Sequence, residues 1–151
     1  MTYKVGMGIQ VDRPAEAVAL VGTPGDPYFT VAGGLVLITG LIGVCTVAAG
    51  GANNMFFRID PLDAAGANSD ITATVDLGTA MVSGDVCVMV GAPATPLLGG
   101  HVAVNVVGST LGKGLAVMSG TIGLVADAAL GTFRWVLWYL PIDAGATIVV
   151  A

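Results

Sequence analysis

The chain has 151 residues, of which 55% are hydrophobic and only 10% are charged, and its formal net charge at pH 7 is −5. Globular domains carry about 25% charged residues, so this composition cannot cover the surface of a monomer with charge. Much of the surface is therefore expected to meet lipid or other protein. The length predicts one domain. The basic residues are scattered, which excludes a nucleic-acid-binding patch; they are Lys4, Arg13, Arg58, Lys113 and Arg134.

A membrane protein is the first alternative, because the mean hydropathy is +0.88 and residues 27–57 and 86–112 carry no charge. Both runs are interrupted by glycine, and the second also contains proline, which disfavours a spanning helix. No cluster of lysine or arginine flanks either run, as membrane topology would require. We therefore favour β-structure without membrane insertion.

Residues 1–27 differ from the rest of the chain and are predicted to form an extended N-terminal arm or an edge segment. This stretch contains Pro14, and it ends in the turn signature Pro24-Gly25-Asp26-Pro27. Its first residues lack a basic region followed by an apolar run, so no signal peptide is expected.

Residues 28–151 are predicted to form a single β-sandwich domain with a jelly-roll-like fold, because short β-prone runs alternate with glycine-rich turns. Helix content should be low, since no long segment shows a capped 3.6-residue period. In Ile71–Leu77, polar and apolar residues alternate strictly, which predicts a strand with one solvent-exposed face. The candidate strands are Tyr28–Val31, Leu35–Thr39, Leu41–Ala48, Met55–Ile59, Ile71–Leu77, Val86–Val90, Val102–Val107, Leu115–Met118, Thr121–Ala126, Thr132–Leu140 and Ala146–Val150.

The predicted strand Thr132–Leu140 has large apolar side chains on both faces. Successive side chains of a strand point to opposite faces, so we expect one face in the core and the other against a partner subunit. The candidate subunit-interface residues are Phe133, Arg134, Trp135, Trp138 and Tyr139.

Catalytic and cofactor sites are not predicted. His101 is the only histidine, and no nucleophile motif surrounds any serine that it could activate. The stretch Gly108–Gly114 resembles a phosphate-binding loop, but it has only three residues before its Gly-Lys pair and lacks the serine or threonine that follows. A glycine-rich turn is the better interpretation.

Metal sites are not predicted either. Cys45 and Cys87 lie in separate apolar runs, where free cysteine behaves as a small buried hydrophobe; whether they pair is left open. The aspartates Asp60, Asp63 and Asp70 match no calcium-loop pattern, so a solvated loop is favoured.

Two apolar blocks, residues 33–44 (GGLVLITGLIGV) and 134–147 (RWVLWYLPIDAGAT), resemble small virion structural proteins of tailed bacteriophages, above all the capsid cement or decoration class. The resemblance covers about a third of the chain. It implies a homotrimer that binds the major capsid protein between capsomers on the capsid surface, with a β-sandwich or jelly-roll body and a terminal arm. It implies no catalytic residue.

The sequence therefore predicts a structural virion protein rather than an enzyme, with no cofactor. A phage tail or head–tail connector component is the second structural hypothesis. A small membrane protein and a hydrolase that uses His101 are the alternatives from other classes.

Overall fold

The computed structural model describes residues 8–20, 22, 25–63, 66–88, 104–109 and 112–151, and the regular structure of these residues is almost entirely β. The strands are β1 (Ile9–Ala17), β2 (Asp26–Ala32), β3 (Val36–Val47), β4 (Asn54–Pro61), β5 (Ser69–Asp70), β6 (Val75–Asp76), β7 (Val86–Val88), β8 (Val104–Ser109), β9 (Gly112–Val117), β10 (Gly120–Ala126), β11 (Thr132–Pro141) and β12 (Thr147–Val150). Within the described ranges the only helix is α1 (Leu77–Ala80). No helix in this part of the chain is long and apolar enough to cross a membrane.

The strands form two antiparallel sheets, and this confirms the all-β prediction. Sheet A has the strand order β1-β11-β3-β9-β8, with β7 also paired to β3. Sheet B has the order β12-β2-β10-β4-β5, with β6 also paired to β4. A jelly-roll connectivity stays a prediction.

The core lies between the two sheets, because alternate side chains of each strand point to the facing sheet. In sheet B, Ile122 of β10 lies between Phe29 of β2 and Ile59 of β4, and all three are buried. The ring of Phe57 packs edge-on against Trp135 of sheet A, with ring centroids 4.8 Å apart. Burying one such side chain contributes about 1.5–3 kcal/mol, so these contacts hold the two layers together.

The two strands predicted at Leu35–Thr39 and Leu41–Ala48 are one continuous strand, β3, and the predicted break at Gly40 is wrong. Gly40 pairs with Trp138 of β11, and the register shifts between Trp138 and Tyr139. This register shift accommodates Gly40 without ending the strand. Pairing with β11 along almost the full length of β3 keeps β3 continuous.

The strand predicted at Ile71–Leu77 is also wrong for most of its length, because only β6 forms there and α1 follows it. The Asp76 side chain accepts a hydrogen bond from the backbone N of Thr79 at 3.0 Å, which caps the helix. Gly78 lies so close to Gly51 that any side chain at this position would meet the Gly51 carbonyl oxygen. Capping and close packing therefore override the alternating pattern.

Part of the predicted N-terminal segment belongs to sheet A. Residues 9–17 are β1, the strand at the edge of the sheet beside β11. The register shifts between Arg13 and Glu16, and Pro14 lies within that shift, as expected for a proline at a sheet edge. Residues 1–7 lie outside the described residues, so an extended arm over this part of the segment stays a prediction.

Candidate docking surface

The inner face of β11 supplies the centre of the core. Phe133, Trp135 and Tyr139 are buried between the sheets, and Phe133 stacks on Trp135 with ring centroids 5.8 Å apart. Gly43 of β3 pairs with Trp135, and a Cβ at Gly43 would lie 2.5 Å from Cζ3 of that indole. These three predicted interface residues are therefore enclosed by their own chain.

The outer face of β11 carries Arg134 and Trp138. Trp138 is only 6% exposed, whereas Arg134 is exposed and forms an ion pair with Asp12 of β1. Its Nε donates to Asp12 Oδ1 at 2.9 Å, and this hydrogen bond, together with the charge of Asp12, raises the pKa of Arg134. Of the five predicted interface side chains, Arg134 alone is exposed in the described chain, and an interface on this strand stays a prediction.

A buried arginine joins the edges of the two sheets. Arg13 of β1 is 7% exposed and donates from one terminal nitrogen to the carbonyl oxygens of Tyr28 at 3.0 Å and Ala151 at 3.4 Å. Its other terminal nitrogen lies 2.5 Å from the Glu16 carboxylate. The guanidinium thus has hydrogen-bond acceptors in both sheets. These partners compensate for the cost of burying its charge, so the burial of Arg13 has a structural explanation.

The cysteines are free thiols. Cys45 is buried and Cys87 is half-buried. Burial, and then the charge of Asp85, raises the pKa of Cys45. Burial is also the main cause of the raised pKa of Cys87. Both groups are thus held as neutral thiols at neutral pH, a state opposite to that of a catalytic thiolate.

The stretch that resembles a phosphate loop is part of a β-hairpin. Gly108 of β8 pairs with Lys113 of β9, and Ser109 pairs with Gly112. A phosphate loop requires a strand, a loop and then a helix, so the structure has the wrong elements for one. His101 lies outside the described residues.

Metal-ligating side chains do not gather in the described ranges, where no group of three histidine, cysteine or acidic residues could hold an ion. Of the three aspartates weighed for calcium, Asp70 instead accepts a hydrogen bond from Arg58 Nε at 2.7 Å. The same guanidinium lies over the ring of Phe56.

Large aliphatic side chains are exposed at both ends of the sandwich, and one of the two is the end that we call the Met118 end. It consists of the loops at residues 33–35, 62–63, 118–119 and 142–146, which follow the ends of paired strands. Leu62 is 81% exposed, Met118 50% and Ile142 51%. Exposed apolar side chains that cluster at one end of a domain mark an interaction surface.

Hydrogen bonds link the loops of the Met118 end to one another. Ser119 binds two of them: its carbonyl oxygen accepts from the N of Leu62 at 3.0 Å, and its Oγ accepts from the N of Gly34 at 3.0 Å. Asp143 Oδ2 accepts from the N of Leu35 at 2.7 Å. The exposed aliphatic side chains are thus presented on fixed backbone, which lowers the entropic cost of binding.

Leu62 and Ile142 were not singled out in the sequence because each lies in a turn, and Met118 was predicted as the last residue of the strand Leu115–Met118. Leu62 stands in Asp60-Pro61-Leu62-Asp63, and Ile142 stands between Pro141 and Asp143. A large aliphatic residue inside a turn signature is the signal that could have identified them, since turns ordinarily carry polar residues.

Comparisons with protein-family models, with curated proteins and with solved structures found no match.

Proposed function

We propose that the protein is a structural virion subunit, a capsid cement or decoration protein that binds the major capsid protein of a phage head as a homotrimer. The resemblance of residues 33–44 and 134–147 to this class supports the proposal, and so does the all-β architecture. The observation that carries it is the exposed aliphatic surface of the Met118 end, with Leu62 at 81% exposure.

The physical role of such a subunit is to bury apolar surface against the shell. Each square ångström of apolar area removed from water contributes about 25 cal/mol, and repetition over many copies makes modest contacts collectively strong. The low charge suits this role, because few charged groups need to be dehydrated on binding.

Co-sedimentation tests the proposal. The purified protein is mixed with empty heads, and separately with tails, of the phage that encodes it. The expected result is saturable binding to heads. Binding to tails alone would replace the proposal with the tail-component hypothesis, and binding to neither would contradict a structural role in the virion.

Light scattering of the protein in buffer without detergent tests the oligomeric state. The expected mass is that of three chains of 15.0 kDa. A monodisperse monomer would contradict the homotrimer, and insolubility without detergent would favour the membrane hypothesis.

A further inference from the structure

We infer that the Met118 end is the surface that binds the shell, and that its counterpart on the shell is an apolar patch bordered by lysine or arginine side chains. This inference rests on the proposed function and names the docking surface and the chemistry of its partner. It is carried by the exposed aliphatic residues Leu62, Met118 and Ile142 together with the charges around them.

The charged side chains described at this end are all carboxylates. Asp60 is the next-to-last residue of β4, Asp63 follows Leu62, and Asp143 follows Ile142. An apolar patch bordered by negative charge is complementary to an apolar patch bordered by positive charge. Such complementarity sets orientation and speeds encounter.

The described arginine side chains lie away from the Met118 end. Arg58 is in the middle of β4, opposite Gly123. Arg13 and Arg134 lie towards the opposite end, and each pairs with a carboxylate there. Among the described side chains, those at the Met118 end therefore carry one sign of charge, while the rest of the described surface has both.

A second copy of the chain is disfavoured as the occupant of this surface. Two Met118 ends brought together would place Asp63 and Asp143 of one copy near the same residues of the other. Like charges in a desolvated interface are costly. A partner with basic side chains gains from the same carboxylates instead.

Two matched triple variants test the inference by co-sedimentation with empty heads. The first replaces exposed residues of the Met118 end: Leu62→Ser, Met118→Ser and Ile142→Ser. The control replaces exposed residues at the opposite end: Leu20→Ser, Val47→Ser and Val82→Ser. All six side chains are solvent-exposed, so both variants should fold, and thermal unfolding verifies this.

The expected result is at least about a tenfold loss of head affinity for the Met118-end variant and less than about a twofold loss for the control. Asp63→Lys should also weaken binding, and added salt should weaken wild-type binding. Loss of affinity in the control alone, or equal affinity in both variants, would overturn the inference and leave the proposed function standing. Absence of wild-type binding would overturn the proposed function itself.

Discussion

The guanidinium of Arg13 lies over the ring of Tyr28, 4.2 Å from its centroid, and donates a hydrogen bond to the carbonyl oxygen of the same residue. Arg13 belongs to the edge strand of sheet A and Tyr28 to sheet B. One side chain thus connects the two layers at an open side of the sandwich, where no pairing between described strands joins them.

Replacing Arg13 with alanine should lower the free energy of unfolding by about 2–3 kcal/mol. The change removes hydrogen bonds from a buried charged donor and a cation–π contact, and it leaves buried carbonyl oxygens without this partner. Urea unfolding measures the loss. Arg134→Ala is the control, since its ion pair with Asp12 is exposed and surface pairs contribute little. Equal losses in the two variants would contradict the bridging role of Arg13.

Replacing Tyr28 with phenylalanine should leave the free energy of unfolding at neutral pH unchanged or raise it by about 1 kcal/mol. The Tyr28 hydroxyl is buried and has no hydrogen-bond partner among the described residues. Removing an unsatisfied buried group relieves its desolvation cost. A clear loss of stability in urea unfolding would show that the hydroxyl has a partner.

The Tyr28→Phe variant should also lose less stability in alkali than the wild type. Burial raises the pKa of Tyr28 from 10.0 to about 12, although the nearby Arg13 lowers it. A raised folded-state pKa gives a contribution that is complete below pH 10 and is lost as the pH rises to about 12. Wild type should therefore lose about 2–3 kcal/mol more than Tyr28→Phe across that range. Parallel pH profiles of the two proteins would contradict this assignment.

Replacing Gly43 with alanine should lower the free energy of unfolding by about 1–3 kcal/mol, because overpacking strains a filled core. The new Cβ would lie 2.5 Å from Cζ3 of Trp135 and 2.7 Å from Sγ of Cys87. Gly22→Ala is the matched control, since nothing lies within 4 Å of a Cβ there. Thermal unfolding of both variants tests this close approach. An unfolding temperature of Gly43→Ala equal to that of the wild type would contradict it.

Acid should weaken the fold through Asp76. The Asp76 carboxylate accepts hydrogen bonds from the backbone N atoms of Asn53 at 2.9 Å and Thr79 at 3.0 Å. These bonds lower the pKa of Asp76 from 3.8 to about 2. A lowered folded-state pKa gives stability that is present above pH 3.8 and is lost as the pH falls to about 2. Asp76→Asn should therefore be less stable at neutral pH and less sensitive to acid over that range, as urea unfolding would measure.

Periodicity identified the strands that face the core on one side. In β10 and β11 the sequence alternates or is apolar throughout, and the structure agrees with the predicted bounds within about a residue. The sequence predicted β1 only as part of an extended arm or an edge segment, because Asp12, Pro14 and Glu16 interrupt any apolar pattern. An edge strand tolerates them, since only one of its sides is paired.

The site was less predictable than the fold. The alternation of residues correctly assigns the side chains of β11 to an inner and an outer face. It does not show whether the outer face is exposed to solvent, and Trp138 on that face is buried. The buried role of Arg13 depends on a sheet-to-sheet contact between residues 13 and 28, which no local pattern encodes. The Met118 end combines four loops that are distant in sequence, so it is visible only once the strands are paired.

The rupture temperature of empty heads, measured with and without saturating protein, tests the central claim most directly. A cement protein binds intact shells in preference to ruptured ones, so it should raise the rupture temperature, and the increase should grow with protein concentration. The Met118-end triple variant should give a clearly smaller increase at the same concentration. An unchanged rupture temperature at saturating occupancy by the wild-type protein would contradict the account.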